Sequence, residues 1–350
     1  MRTVIAVIFS MMVVLASAQT RYQYAKPREG EGISAFLERH GRPGRQYYND
    51  FLEINKSRLH GRDYLVKGVS YAIPPLRDGS QRNATARAAA PEDKVPAGPA
   101  VGTAFDEPLF GTAQAKGKVT GNRLQGACIY VVSGHGGPDP GAIGKVGKTE
   151  MHEDEYAYDV ALRLARDLMQ EGAVVRIIIQ DARDGIRDAQ YLDNSKRETC
   201  MGDAIPLNQT RRLQQRCDKI NRLYEDDRKT YSYCRAIFLH IDSRSRKQQT
   251  DVFFYHREKS QDGRHLANTV RRTFKAKYDR HQPDRGFRGT VESRALYVLS
   301  HSAPVSLFVE LGNIQNANDQ KRFVLSSNRQ ALANWLTDGF ADDFKEHKKK

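Results

Sequence analysis

The feature that most restricts the fold is an alternation in the C-terminal two thirds of the chain. Short, continuous apolar runs at residues 128–132, 174–179, 236–241, 295–299 and 305–309 are separated by amphipathic stretches at 156–170, 209–224, 266–278 and 330–344. Runs that are apolar at successive positions read as strands buried on both faces, and such strands joined by helices form a parallel sheet with helices on either side. The helical period is clearest in 156–170, where Ala157, Val160, Ala161, Leu164 and Leu168 share a face and Gly172 is placed to end the helix. Residues 124–346 are therefore expected to be α/β, a mostly parallel sheet with helices on both faces.

The N-terminal third reads differently. Arg2 followed by an apolar stretch over 4–15 and by Ala16-Ser17-Ala18 has the form of a secretory signal peptide spanning 1–18. The apolar stretch is too short to cross a bilayer comfortably, and the residue after Ala18 is Gln19 and not Cys, so neither a stable membrane anchor nor a lipid anchor is expected. The implied location is outside the cytoplasm, periplasmic or associated with the cell wall. Residues 22–75 read as a small α+β module, with apolar helical stretches around Phe36 and Phe51 and an extended end at 71–74. A linker is expected over 76–123, because residues 77–102 are rich in Ala, Pro, Arg and Ser without a hydrophobic period. Four cysteines, Cys128, Cys200, Cys217 and Cys234, match no CxxC metal knuckle, and their spacing leaves open both disulfide pairing and burial as small apolar residues.

The formal charge of +14 is spread along the chain: 17 Lys and Arg against 11 Asp and Glu over 19–125, and 38 against 31 over 126–350. There is no basic arm apart from the terminal lysines, so nucleic acid is not the expected partner. A polyanionic wall suits the charge as well.

In open α/β sheets, reactive groups collect beyond the carboxyl ends of the strands. Four candidates lie there: His135 after the first apolar run, His240 after the run at 236–241, Glu310 after 305–309, and Glu153 at the start of the first helix. Two histidines and one carboxylate make a mixed nitrogen and oxygen site suited to Zn²⁺ with one position left for water, and a further carboxylate can serve as base. Other chemistries lack their parts. Residues 142–149 nearly spell a phosphate loop but begin with Ala142, and no GxSxG occurs to supply a serine nucleophile.

Residues 134–144 (GHGGPDPGAIG), Glu153, FLHIDS around His240 and PVSLFVELGNIQN around Glu310 together resemble the zinc-dependent N-acetylmuramoyl-L-alanine amidases in kind, order and interval over residues 124–344. The resemblance implies that His135, Glu153 and His240 bind Zn²⁺ and that Glu310 is the catalytic carboxylate. Glu150, His152 and Glu155 compete with Glu153, but counting back from Leu164 through the family's helix pattern selects Glu153. The chain departs from the family in having His240-Ile241-Asp242 for His-x-Asn and Ser133-Gly134-His135 for Pro-Gly-His. Residues 22–75 resemble a LysM-type glycan-binding module, with Asn55, Gly68, Tyr71, Ile73 and Pro74 on its pattern. The implied activity is hydrolysis of the amide between N-acetylmuramic acid and L-alanine in peptidoglycan, used in wall remodelling or daughter-cell separation. An exported zinc peptidase and a non-catalytic wall-binding protein on the same fold are the alternatives. Activator partners, and an autoinhibitory role for the polar stretch 184–207, stay open.

Overall fold

The computed structural model describes residues 22–28, 31–42, 45–59, 65–66, 68–76 and 98–349. The leader expected at 1–18 lies outside them. The chain divides into two compact units, one within 1–89 and one within 90–350.

In the first unit, strands Gln23–Ala25 and Tyr71–Ile73 pair antiparallel, and helices Ile33–Arg39, Arg45–Ile54 and Lys56–Leu59 lie between them in sequence. Ile33, Phe36, Leu37, Phe51, Leu59, Tyr71 and Ile73 form the core, with Phe36 and Phe51 edge to face at 5.7 Å. Asn55 is fully buried. Its amide donates to the Ala72 carbonyl (2.8 Å) and accepts from the Ala72 N–H (2.7 Å), fastening the end of the second helix to the closing strand. A buried amide stabilises only when its bonds are made, and here they are.

The second unit is built on a six-stranded sheet. Its strands are β1 (Ala127–Ser133), β2 (Val174–Ile177), β3 (Tyr233–Asp242), β4 (Phe253–His256), β5 (Val291–Ser293) and β6 (Val305–Asn313), in the spatial order β5-β4-β6-β3-β1-β2. The pairs β6–β3, β3–β1 and β1–β2 are parallel. β4 runs antiparallel to β6, and β5 follows β4, so the sheet is mostly parallel with one reversed edge. The helices are α1 (Glu153–Gln170), α2 (Gln209–Asp227), α3 (Gln261–His281), α4 (Tyr297–His301), α5 (Ala317–Val324) and α6 (Ser326–His347).

Alternation along each strand feeds two cores. Ile129, Val131, Ile237, Leu239, Leu307 and Val309 point to a core shared with apolar residues of α1, α3 and α6. Cys128, Tyr130, Val132, Ala236, Phe238 and Phe308 point the other way, onto Cys217 and Ile220 of α2 and Val298 and Leu299 of α4. Both faces are covered, which is why the runs 128–132, 236–239 and 307–309 are apolar at successive positions. All four cysteines are buried free thiols, and Cys128 lies opposite Cys234 across β1 and β3. Among the described residues no helix is long and apolar enough to cross a membrane.

Two expectations are corrected. Residues 295–299, read as a strand, contribute instead to helix α4, where Tyr297 stacks on His301 at 3.9 Å one turn away. A five-residue apolar run has no period that separates strand from helix, and here the two buried positions, Val298 and Leu299, are met by a single turn. The linker read over 76–123 also ends early, because residues 98–123 belong to the second unit. Ala104–Asp106 pairs with Lys116–Lys118, and the turn Pro108–Phe110 between them buries Leu109 and Phe110 in the core beside α1.

Candidate active site

The three central strands β1, β3 and β6 end side by side, and the site lies beyond their carboxyl ends. His240 and Glu310 are register partners across β3 and β6. Gly134, the residue after β1, donates its N–H to the Leu239 carbonyl at 2.7 Å, which brings His135 beside His240. The two imidazoles meet edge to face at 4.9 Å, and His240 stacks on Phe308 at 4.4 Å. Glycine is required on this loop. A Cβ on Gly134 would stand 2.5 Å from the His240 ring, and one on Gly141, where φ is +67°, would stand 2.6 Å from Glu153 Oε2.

Glu153 reaches the site from the first position of α1. The hairpin of Ile143–Val146 and Thr149–His152 carries the chain from the glycine loop to that position. Glu153 is 4% exposed and sits at a helix N-terminus, where a carboxylate is favoured. Its Oε1 accepts from the Ile241 N–H (2.9 Å) and lies 3.0 Å from His240 Nδ1; its Oε2 accepts from the Ala142 N–H (2.8 Å) and lies 3.2 Å from His135 Nε2. One donor atom each from His135, Glu153 and His240 lies within 4.8 Å of the others. The competing residues are elsewhere: Glu150 pairs with Lys145 at 3.0 Å on the hairpin, and Glu155 pairs with Arg187 at 2.8 Å. His152 lies 3.6 Å from Glu150, outside the cluster of His135, Glu153 and His240.

The charges of the site oppose one another. Burial works against the carboxylate of Glu153, but hydrogen bonds from His135 and His240 outweigh it and hold the group well below the usual range. Burial also works against His135 as a cation, yet Asp139 and Glu153 push it up to about 10. His240 is lowered, chiefly by burial. Glu310 is raised well above the ordinary carboxylate value by burial, with Glu153 and Asp242 adding repulsion. Its Oε2 is buried without a hydrogen-bond partner among the described residues, an unsettled group of the kind that marks a site built for a ligand or a proton.

Sequence reasoning missed the residues that hold the histidine loop. Asp139 Oδ2 lies 2.9 Å from His135 Nδ1, fixing which ring nitrogen faces Glu153, and Arg212 anchors Asp139 at 2.6 Å. Arg216 of α2 donates to the His135 carbonyl. Glu198 accepts from the Gly137 N–H at 2.8 Å. Asp139 was recoverable, being four residues after His135. The arginines carried no local signal, because they arrive from α2.

Reactive groups gathered at the carboxyl edge of a mostly parallel sheet with helices on both faces define an α/β protein with a candidate site where such sheets usually carry one. The family model described as N-acetylmuramoyl-L-alanine amidase matches residues 129–342. The chain belongs to that family. No curated protein matches it. Among solved structures it is similar to the N-acetylmuramoyl-L-alanine amidase of Clostridium difficile 630, at 20% identity over 61% of this chain and 94% of that one, with a TM-score of 0.44. It is also similar to AmiC2 of Nostoc punctiforme, at 19% identity over 65% and 99% with a TM-score of 0.43. CwlD of Clostridioides difficile, solved in complex with the GerS lipoprotein, gives 17% identity over 63% and 98% with a TM-score of 0.46.

Proposed function

We propose that this amidase is a zinc enzyme that acts outside the cytoplasm, cleaving the bond between N-acetylmuramic acid and L-alanine during wall remodelling or daughter-cell separation. The observation that carries the reading is the convergence of His135, Glu153 and His240 within 4.8 Å, with the unpartnered Glu310 carboxylate one strand away. Two imidazoles and one carboxylate fit Zn²⁺ by donor type and leave a coordination position open. His135 would offer Nε2 and His240 Nδ1, the ring nitrogens that already face Glu153. When bound, the ion supplies Lewis acidity, making water nucleophilic near neutral pH and polarising the scissile carbonyl.

The rest is done by the chain. Asp139 holds His135 in one orientation through Nδ1. Phe308 backs the His240 ring and keeps water from that side. Glu310 takes the proton of the attacking water and returns it to the leaving amine, so the reaction needs no acyl-enzyme. The unit within 1–89 is a LysM-like module that holds the enzyme on glycan, with Asn55 as its internal brace rather than a sugar ligand. The experiment is cleavage of a soluble muropeptide and dye release from labelled sacculi by the purified chain, with zinc measured on the same preparation. A zinc-loaded, folded chain inactive on both substrates would reject the reading.

A further inference from the structure

Immediately after Glu153, the first turn of α1 contributes to a second acidic cluster. Asp154, Glu155 and Glu198 are 2%, 0% and 5% exposed. One carboxylate oxygen of each lies within 4.8 Å of the other two. Some of their oxygens are satisfied: Glu155 accepts from Arg187 Nη1 at 2.8 Å and from the Ser195 N–H, Glu198 Oε2 accepts from the Gly137 N–H at 2.8 Å, and Asp154 Oδ1 accepts from the Glu155 N–H at 2.9 Å. Asp154 Oδ2 is buried and has no hydrogen-bond partner among the described residues.

Arg187 is shared with Asp184 at 3.1 Å, so it does not belong to this cluster alone. A buried carboxylate cluster of this kind is settled either by a proton or by a cation. We propose that Asp154, Glu155 and Glu198 bind one Ca²⁺ ion, at a site separate from His135, Glu153 and His240. Ca²⁺ takes oxygen ligands at about 2.3–2.6 Å, so two oxygens across the ion stand at most roughly 5 Å apart, and the three oxygens here, all within 4.8 Å of one another, fall inside that limit. An all-oxygen donor set without nitrogen or sulfur selects a hard cation over zinc. Three side chains from two stretches of chain, the first turn of α1 and the segment at Glu198, suit the flexible coordination of Ca²⁺ better than the rigid octahedron of Mg²⁺. The ion would join α1 to the 195–198 segment and, through Glu198 and the Gly137 N–H, brace the loop that carries His135.

The test uses the full chain loaded with zinc, dialysed against CaCl2 and analysed for both metals, with the thermal midpoint read alongside. The expected result is one Ca²⁺ per chain, unchanged zinc and a midpoint raised by about 5 °C in millimolar CaCl2. Asp154→Asn and, independently, Glu198→Gln should each weaken Ca²⁺ uptake at least tenfold and remove the midpoint shift. Absence of Ca²⁺ uptake by the wild-type chain would overturn the proposal. In that case a gain in stability for Asp154→Asn would identify a proton held between carboxylates as the compensating charge. Wild-type uptake undiminished in both variants would place the ion elsewhere and overturn it equally. Should Asp154→Asn fail to fold, the wild-type dialysis and Glu198→Gln decide between the same outcomes.

Discussion

Glu310 and Gly134 show how much of this site depends on single atoms. Glu310→Gln keeps the volume and hydrogen-bonding reach of the side chain but cannot take a proton, and general base assistance is worth about 10² to 10⁴ in rate. We expect the variant to fold and to hold zinc at the wild-type level while losing turnover on that scale. Metal analysis and muropeptide cleavage on one preparation check it, and full activity in the zinc-loaded variant would remove Glu310 from the mechanism. Gly134 acts by being absent. A methyl group 2.5 Å from the His240 ring forces the ring or the loop to move, and overpacking of this kind costs about 1–3 kcal/mol. Gly134→Ala is expected to lower the thermal midpoint by a few degrees and to weaken zinc binding at least tenfold, because it displaces a proposed ligand. A variant with wild-type zinc affinity would show that the loop gives way without disturbing His240.

At the scale of elements, the sequence was most legible where burial dictates every position. The runs at 128–132, 236–241 and 305–309 appear as β1, β3 and β6, each longer in the structure because polar or mixed residues at the ends still pair. These are also the strands that bring His135, His240 and Glu310 to one edge, so the gathering of these side chains was readable for the same reason as the sheet. The hairpin at 143–152 and the strands β4 and β5 were not anticipated, since they are short, half polar and paired at an edge or outside the main sheet. Residues 295–299 were misread because so short an apolar run has no period to decide it. The end of α2 offers a test at this scale. Asp227, its last residue, accepts from Tyr130 Oη of β1 at 3.0 Å and pairs with Arg176 of β2 at 2.7 Å, tying the helix to two strands. Burial opposes its charge, but Arg176 and Tyr130 hold its carboxyl below the ordinary Asp value. A depressed carboxylate contributes stability above its unfolded pKa of about 3.9 and loses it as pH falls through the lower folded value. Asp227→Asn should therefore cost about 1–2 kcal/mol at pH 7, and the gap to wild type should close in thermal melts as the buffer is taken below about pH 4. A gap that persists undiminished in acid would mean that the charge contributes nothing to the tie.

At the scale of the whole molecule, the boundary between the two units is the place where composition misled, and it yields the sharpest test of the architecture. The Ala, Pro and Arg-rich stretch suggests that the catalytic unit begins near residue 124, whereas the unit extends back to about residue 98, with Leu109 and Phe110 buried in its core and the Thr120 N–H donating to the Gln170 carbonyl at the end of α1. Burying a Leu or Phe side chain is worth about 1.5–3 kcal/mol, so the two together contribute roughly 3–6 kcal/mol. That is a large share of a domain stability of about 5–15 kcal/mol. A chain starting at residue 98 should fold, bind zinc and cleave a soluble muropeptide at the full-length rate. A chain starting at residue 124 should be aggregated or melt at least 10 °C lower, since it uncovers the α1 side of the core. The first truncation also separates binding from chemistry: if the unit within 1–89 holds glycan, its removal lowers retention on sacculi while leaving the soluble substrate untouched. Thermal melts of both truncations beside a sacculus pull-down of the first give the answer. Equal stability of the two would show that residues 98–123 only lie upon the core, and equal sacculus retention with and without the first unit would remove its proposed role on the wall.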